Sequence, residues 1–282
     1  MNVRRTAALS VGIALAMLGS DLAAGPSRAA DPGLQVVIDG PQRAPANKKR
    51  DGARHPLQEL TFFGLRPDMT VVEIWPGGGY WTEILAPYLK GHGTYYAAQP
   101  PAGPNASAEI KEGDARFQAK LDANPALYGK VQVTQMWGGD YAIAPKGSAD
   151  LVVTFRNLHN WLEQGNSEGA LRAFYAALKP GGFLGIEDHR GRADQPQDPK
   201  AASGYVRQDY AIDLVEKAGF IFAGSSEINA NPRDTKDYPQ GVWTLPPVLR
   251  LGDTDRAKYL AIGEADGFVL LFEKPFTSKN KE

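Results

Sequence analysis

Two short runs set imidazole beside polar side chains that could orient it. One is Glu187-Asp188-His189-Arg190; the other carries Asn157 and, two places on, His159. An imidazole titrates near neutral pH, so His189, with Asp188 beside it to orient the ring, is the first candidate for a general base, and His159 is a second. Imidazole and carboxylate together also suit zinc or manganese. No set of these residues has a compact metal-ligand spacing, however, and the sequence assigns no metal. His55 and His92 lack such a setting and read as structural or solvated. A third run is built to bind. Residues 70–89 read TVVEIWPGGGYWTEILAPYL, in which Val71, Val72 and Ile74 flank Glu73. Gly77, Gly78 and Gly79 follow, and then Trp81, Ile84, Leu85 and Leu89 recur at helical spacing. That pattern is a strand, a tight turn and a helix. The glycines let the backbone turn sharply and let a ligand approach with no Cβ in the way. The helix start leaves N–H groups free to face that ligand.

The elements that must position these groups alternate. Residues 50–63 suggest a helix leading into the sheet. Strands follow at 71–74, 93–99, 131–135, 151–155, 183–187, 220–225 and 268–274. Helices are expected at 107–121, 171–178 and 206–218. LVVTF at 151–155 is almost wholly apolar, as in a parallel strand buried on both faces. Alternating strands and helices give an α/β fold with a mostly parallel sheet and right-handed crossovers. Residues 229–265 break the rhythm. They include NPRDTKDYPQGVWTLPP, dense in proline and aromatic residues, and read as an insertion or lid.

The 282 residues carry a net charge of −1, which gives no electrostatic reason to expect nucleic acid as a partner. Arg4 and Arg5 precede an apolar stretch over residues 7–18, and small residues follow at 27–29. This reads as a signal peptide over residues 1–29, too short in its apolar part for a stable membrane anchor. Its removal takes away three basic residues and one acid, moving the charge from −1 to −3. The expected location is periplasmic or secreted. No cysteine is present, so disulfides and a lipid-modified cysteine are excluded. Residues 30–49 are rich in Pro, Gly and Ala and read as a tail or linker. The domain then spans 50–276, with a C-terminal tail at 277–282.

Three segments together resemble the class I S-adenosylmethionine-dependent methyltransferases. Residues 73–79 (EIWPGGG) are similar to their first motif, 150–159 (DLVVTFRNLH) to their fourth-strand motif, and 178–187 (LKPGGFLGIE) to the turn and strand that follow. More narrowly, the chain resembles an exported branch of predicted methyltransferases. The resemblance implies a Rossmann-like, doubly wound sheet of seven strands, with helices on both faces and the last strand antiparallel. It implies S-adenosyl-L-methionine as cofactor, with Glu73 and Gly77, Gly78 and Gly79 at its methionine end, Gln99 at the ribose, Asp140 near the adenine amino group and Asn157 over the sulfonium. It also makes the fourth and fifth strands neighbours, so that His159 and His189 share one cleft. Two positions depart from the pattern. Trp75 stands where the family has a glycine, and a bulky indole there should crowd the cofactor or redirect the loop. Gln99 stands where the family has an acid for the ribose hydroxyls.

The reading is methyl transfer to a small-molecule acceptor. Tyr80, Tyr238 and Trp243 are the candidate substrate contacts, the last two within a lid that covers the ends of the fourth and fifth strands. The alternative is a non-catalytic periplasmic protein that binds a small molecule on the same scaffold, with Trp75, Tyr80 and Trp81 lining its pocket.

Overall fold

The computed structural model describes residues 31–100, 106–136 and 142–276. The signal segment, the C-terminal tail and Asp140 lie outside the described residues. In chain order the elements are α1 (Pro32–Asp39), α2 (Pro45–Lys48), α3 (Asp51–Arg54), α4 (Pro56–Phe62), β1 (Thr70–Ile74), α5 (Thr82–Leu89) and β2 (Thr94–Gln99). Next come α6 (Ala108–Asp122), α7 (Pro125–Tyr128), β3 (Gln132–Gln135), β4 (Ala149–Phe155), α8 (Leu158–Gln164), α9 (Ser167–Ala177) and β5 (Leu178–His189). The chain continues through α10 (Gln208–Lys217), β6 (Ile221–Ser226), a 3-10 turn (Gly241–Thr244), α11 (Arg256–Ile262) and β7 (Gly267–Glu273).

The strands form one seven-stranded sheet in the order β3-β2-β1-β4-β5-β7-β6. Neighbours from β3 to β5 are parallel, and β7 runs antiparallel to both β5 and β6. Alternation along the inner strands sends side chains to two cores. Val72, Ile74, Val152 and Ile186 face α8, α9 and α10, where Trp161, Phe174 and Val215 are buried. Val71, Leu151, Val153 and Leu271 face α1, α4 and α5 and pack with Leu34, Leu60, Ile84 and Leu85. This doubly wound, mostly parallel architecture agrees with the sequence reading.

Two segments differ from that reading. Residues 30–49 are not a loose tail in the region described. Asp31 caps α1 by accepting the Gly33 N–H at 2.7 Å, Pro32 opens the helix, and Leu34 and Ile38 are buried on its inner face. The helix expected over residues 50–63 is two short helices. His55 between them is left-handed, with φ 41°, which breaks the helix there, and Pro56 opens the second one. The insertion between β6 and β7 has its own small core, with Val242, Leu245, Tyr259 and Ala265 packed around Tyr205.

Candidate active site

The sheet order reverses between β1 and β4, and ligands of open α/β sheets bind at the carboxyl ends of strands at that switch point. A cleft of about 780 Å³ opens there, lined by Trp75, Gly77, Gly78, Gln99, Asn157 and the inner face of α6. That volume lies within the range of small-molecule sites. Gly77 has φ 55°, and a Cβ added at Gly77 or Gly78 would meet no atom within 4 Å, so the turn leaves room beside its backbone. Asn157 donates to the Ile74 carbonyl at 3.0 Å and to Thr154 Oγ1 at 3.2 Å, tying the ends of β1 and β4 together at the cleft wall. Gln99 closes β2 with its side chain buried, and its Nε2 has no partner among the described residues. A buried amide donor without an acceptor costs about 1–3 kcal/mol. A ligand hydroxyl would remove that cost.

Trp75 neither fills nor closes the cleft. Its backbone is left-handed, with φ 52°, and its N–H donates to the Ala98 carbonyl at 2.8 Å. The indole packs edge-on against Trp161 at 5.7 Å and forms part of the wall.

Glu73 and Gly79 are not in the lining. The Glu73 carboxylate is buried and accepts hydrogen bonds from the Tyr95 hydroxyl and from Thr82 Oγ1 at 3.1 Å. Burial pushes its pKa up to about 7, against the opposing effect of the Tyr95 and Thr82 bonds. Gly79 faces Lys120, whose Nζ donates to the Gly78 carbonyl at 2.9 Å and pairs with Glu83. Lys120 of α6 therefore braces the glycine turn from across the cleft. The charged stretch at 107–121 is legible as a helix, but nothing in its spacing singles out this lysine.

The second group stands at the ends of β4 and β5. Asp188 orients His159, not His189, so the pairing expected from sequence is exchanged. Asp188 Oδ1 pairs with His159 Nδ1 at 2.8 Å, and Oδ2 accepts the His159 main-chain N–H at 3.0 Å. The chain reverses into α8 at this point, which turns His159 back over β5. His189 gives Asp188 only its main-chain N–H, at 2.7 Å, and its ring Nδ1 is buried without a partner among the described residues. Burial lowers the charged form of both rings. At His159 the Asp188 carboxylate outweighs it, and the pKa is raised. At His189 burial acts together with the Arg156 and His159 charges, and the pKa falls well below its ordinary value.

Of the three candidate substrate contacts, the structure brings only Trp243 to this group, edge-on to His159 at 6.0 Å with Arg250 4.7 Å over its ring. Tyr80 is buried, with its hydroxyl donating to Asp51 at 2.6 Å and Arg43 and Arg54 each 4.9 Å over its ring. Arg43 comes from the segment read as a linker, whereas Asp51 and Arg54 belong to α3, within the helix expected over 50–63. Tyr238 accepts the Thr235 N–H at 3.0 Å and packs on Tyr259 inside the insertion's core.

An ion network under the insertion was not legible. Arg156, with φ 61°, pairs with Glu187 at 2.9 Å and with Glu264, and Glu264 also binds Arg50 at 2.8 Å. Burial opposes ionisation of Glu264, but Arg156, Arg50 and Arg54 outweigh it and hold the pKa at about 2. Arg54, buried beside Arg156 and Arg50, is lowered to about 10.

The described residues share the fold of several solved structures. One is a SAM dependent methyltransferase from Aquifex aeolicus, 16% identical, with a TM-score of 0.52 over 86% of this chain and 98% of that one. The cyclase SpnF is 15% identical, with a TM-score of 0.53 over 84% and 85% of the two chains. Phosphoethanolamine N-methyltransferase 2 of Haemonchus contortus, solved with S-adenosyl-L-methionine, is 15% identical, with a TM-score of 0.51 over 79% of this chain and 52% of that one. No protein-family model matches the sequence, and no curated sequence matches it. The likeness is one of fold, and one fold hosts many chemistries.

Proposed function

We propose that the protein binds S-adenosyl-L-methionine in the cleft and transfers its methyl group to a small-molecule acceptor held at the ends of β4 and β5. The observation that carries this reading is the unpartnered Gln99 amide, buried at the end of β2 in the wall of a nucleoside-sized cleft beside an open glycine turn. These residues fit the cofactor. Gln99 would hold the ribose hydroxyls, Gly77 and Gly78 would admit the methionine end, and Asn157 would border the sulfonium. When bound, the cofactor supplies an electrophilic methyl group. The chain's own part is to align the acceptor, exclude water and take charge of the acceptor's proton. The imidazole nitrogens of His159 and His189 mark where that proton is handled, and Trp243 gives the acceptor a flat apolar face.

The test is calorimetry of the purified chain with S-adenosylmethionine and S-adenosylhomocysteine. Saturable binding of both, with a raised melting temperature, is expected. Neither heat nor stabilisation at millimolar ligand would overturn the cofactor assignment. Binding with no transfer across a panel of hydroxyl and amine acceptors would leave a non-catalytic scaffold. We also propose export, on Arg4, Arg5, the apolar stretch that follows and the small residues before Ala30. The mature N-terminus in the native host should then begin near Ala30 by mass spectrometry, and an intact Met1 would refute it.

A further inference from the structure

Beyond the cleft, the ends of β4 and β5 carry a group built to hold more than a proton. One ligand atom from each of His159, Asp188 and His189 lies within 4.8 Å of the others, and all three residues are buried. The two rings are 5.5 Å apart between centres and tilted by 40°. Two imidazoles bound to a common ion at 2.0–2.1 Å have ring centres about 5 Å apart, close to the spacing here. His159 is already fixed as metal-bound histidines are. Its Nδ1 faces the Asp188 carboxylate at 2.8 Å, which places the proton on that nitrogen and leaves the Nε2 lone pair free. His189 contributes the independent sign of a missing ligand, a buried ring nitrogen with no hydrogen-bond partner. Arg156 stands nearby, but its charge is engaged by Glu187 and Glu264.

We propose that His159 and His189 bind one divalent d-block ion of the zinc class, with Asp188 as the carboxylate behind His159. The proposal rests on the reading of these strand ends as the acceptor site, and it names what activates the acceptor there. Imidazole donors suit zinc, iron or nickel and disfavour magnesium and calcium, which take oxygen ligands. Two protein nitrogens leave the remaining positions to water or to an oxygen or nitrogen of the acceptor, whose proton is then released more readily. Neither residue is wholly enclosed, His159 keeping 5% and His189 8% of its surface exposed. Competing sites are few. The chain has no cysteine and four histidines, of which His55 is bonded to Asn229 at 3.0 Å and His92 lies in an exposed turn.

The test uses the untagged full chain, stripped with chelator and free of nucleoside, titrated with Zn²⁺ by calorimetry and with Co²⁺ by visible absorption, against Mg²⁺ as reference. One Zn²⁺ per chain is expected, together with Co²⁺ bands of low coordination number. His159→Gln and His189→Gln should each weaken Zn²⁺ by more than about 100-fold, Asp188→Asn by about 10–100-fold, and His92→Gln not at all. Zn²⁺ held no more tightly than Mg²⁺, or bound equally by both histidine variants, would overturn the site. If a variant does not fold, histidine ¹⁵N shifts of the unaltered chain decide. Zn²⁺ must move His159 and His189, and movement confined to His55 or His92 refutes the assignment. Because no S-adenosyl ligand enters this experiment, the ion site and the cofactor site can fail separately.

Discussion

The cleft at β1 and β2 and the group at β4 and β5 sit on one sheet edge but are built in opposite ways. In the cleft, polar atoms are left over: the Gln99 amide has no partner, and the glycine turn borders open space. At β4 and β5 nearly everything is spent. Arg156, Glu187 and Glu264 use one another up, Asp188 accepts three N–H donors, and only ring nitrogens remain. A site for a whole nucleoside needs unspent donors and room. A site for one proton or one ion needs a few lone pairs in a frame that cannot shift.

Three substitutions would break or sharpen that contrast. The largest effect is expected at Arg156. Arg156→Met leaves Glu187 and Glu264 buried and short of their partner, which should cost about 3–5 kcal/mol in a denaturant melt. Calorimetric affinity for S-adenosylhomocysteine should hardly change, and an equal loss of both would show that the two regions are one unit. Glu73→Gln comes next and depends on pH. The folded pKa of about 7 lies above the ordinary carboxylate value, so the folded state holds the extra proton, and stability is lost as pH rises from about 4.5 through 7. The glutamine variant should therefore be more stable at pH 8 by about 3 kcal/mol and nearly unchanged at pH 4.5. Equal melting temperatures of the two proteins at both pH values would show that Glu73 ionises in the folded state at its ordinary pKa. The smallest effect is at Gln99. Gln99→Leu should weaken S-adenosylhomocysteine about tenfold, the worth of one hydrogen bond, without lowering stability. A stability loss with affinity intact would make the amide a packing group.

Much of the fold was legible because its signals are local. The apolar run of β4, the glycine turn and the short apolar run of β1 each fix an element without reference to distant residues. The departures Trp75 and Gln99 were visible too, although only the fold shows that Trp75 turns onto Trp161. What could not be read depends on residues far apart in sequence. Glu264 meets Arg50 across 214 positions, and no periodicity announces such a pair. The exchange of Asp188 from His189 to His159 has the same origin. His159 lies 29 positions before Asp188, yet its ring Nδ1 and its main-chain N–H take both oxygens of that carboxylate. The N-terminal helices were missed for a different reason: Pro, Gly and Ala suggested a linker, and the cap at Asp31 with Leu34 and Ile38 outweighed that composition.

The seat of β7 bears on the order in which the chain can assemble. Residues 267–273 follow every other strand in sequence, yet they lie between β5 and β6. Until they arrive, β5 presents one unpaired edge and β6 has no sheet to join, and such edges invite pairing with other chains. The sheet therefore closes late, through contacts of long sequence separation that are slow to form. During synthesis the outer edge of β5 and the whole of β6 must wait for one late interior strand.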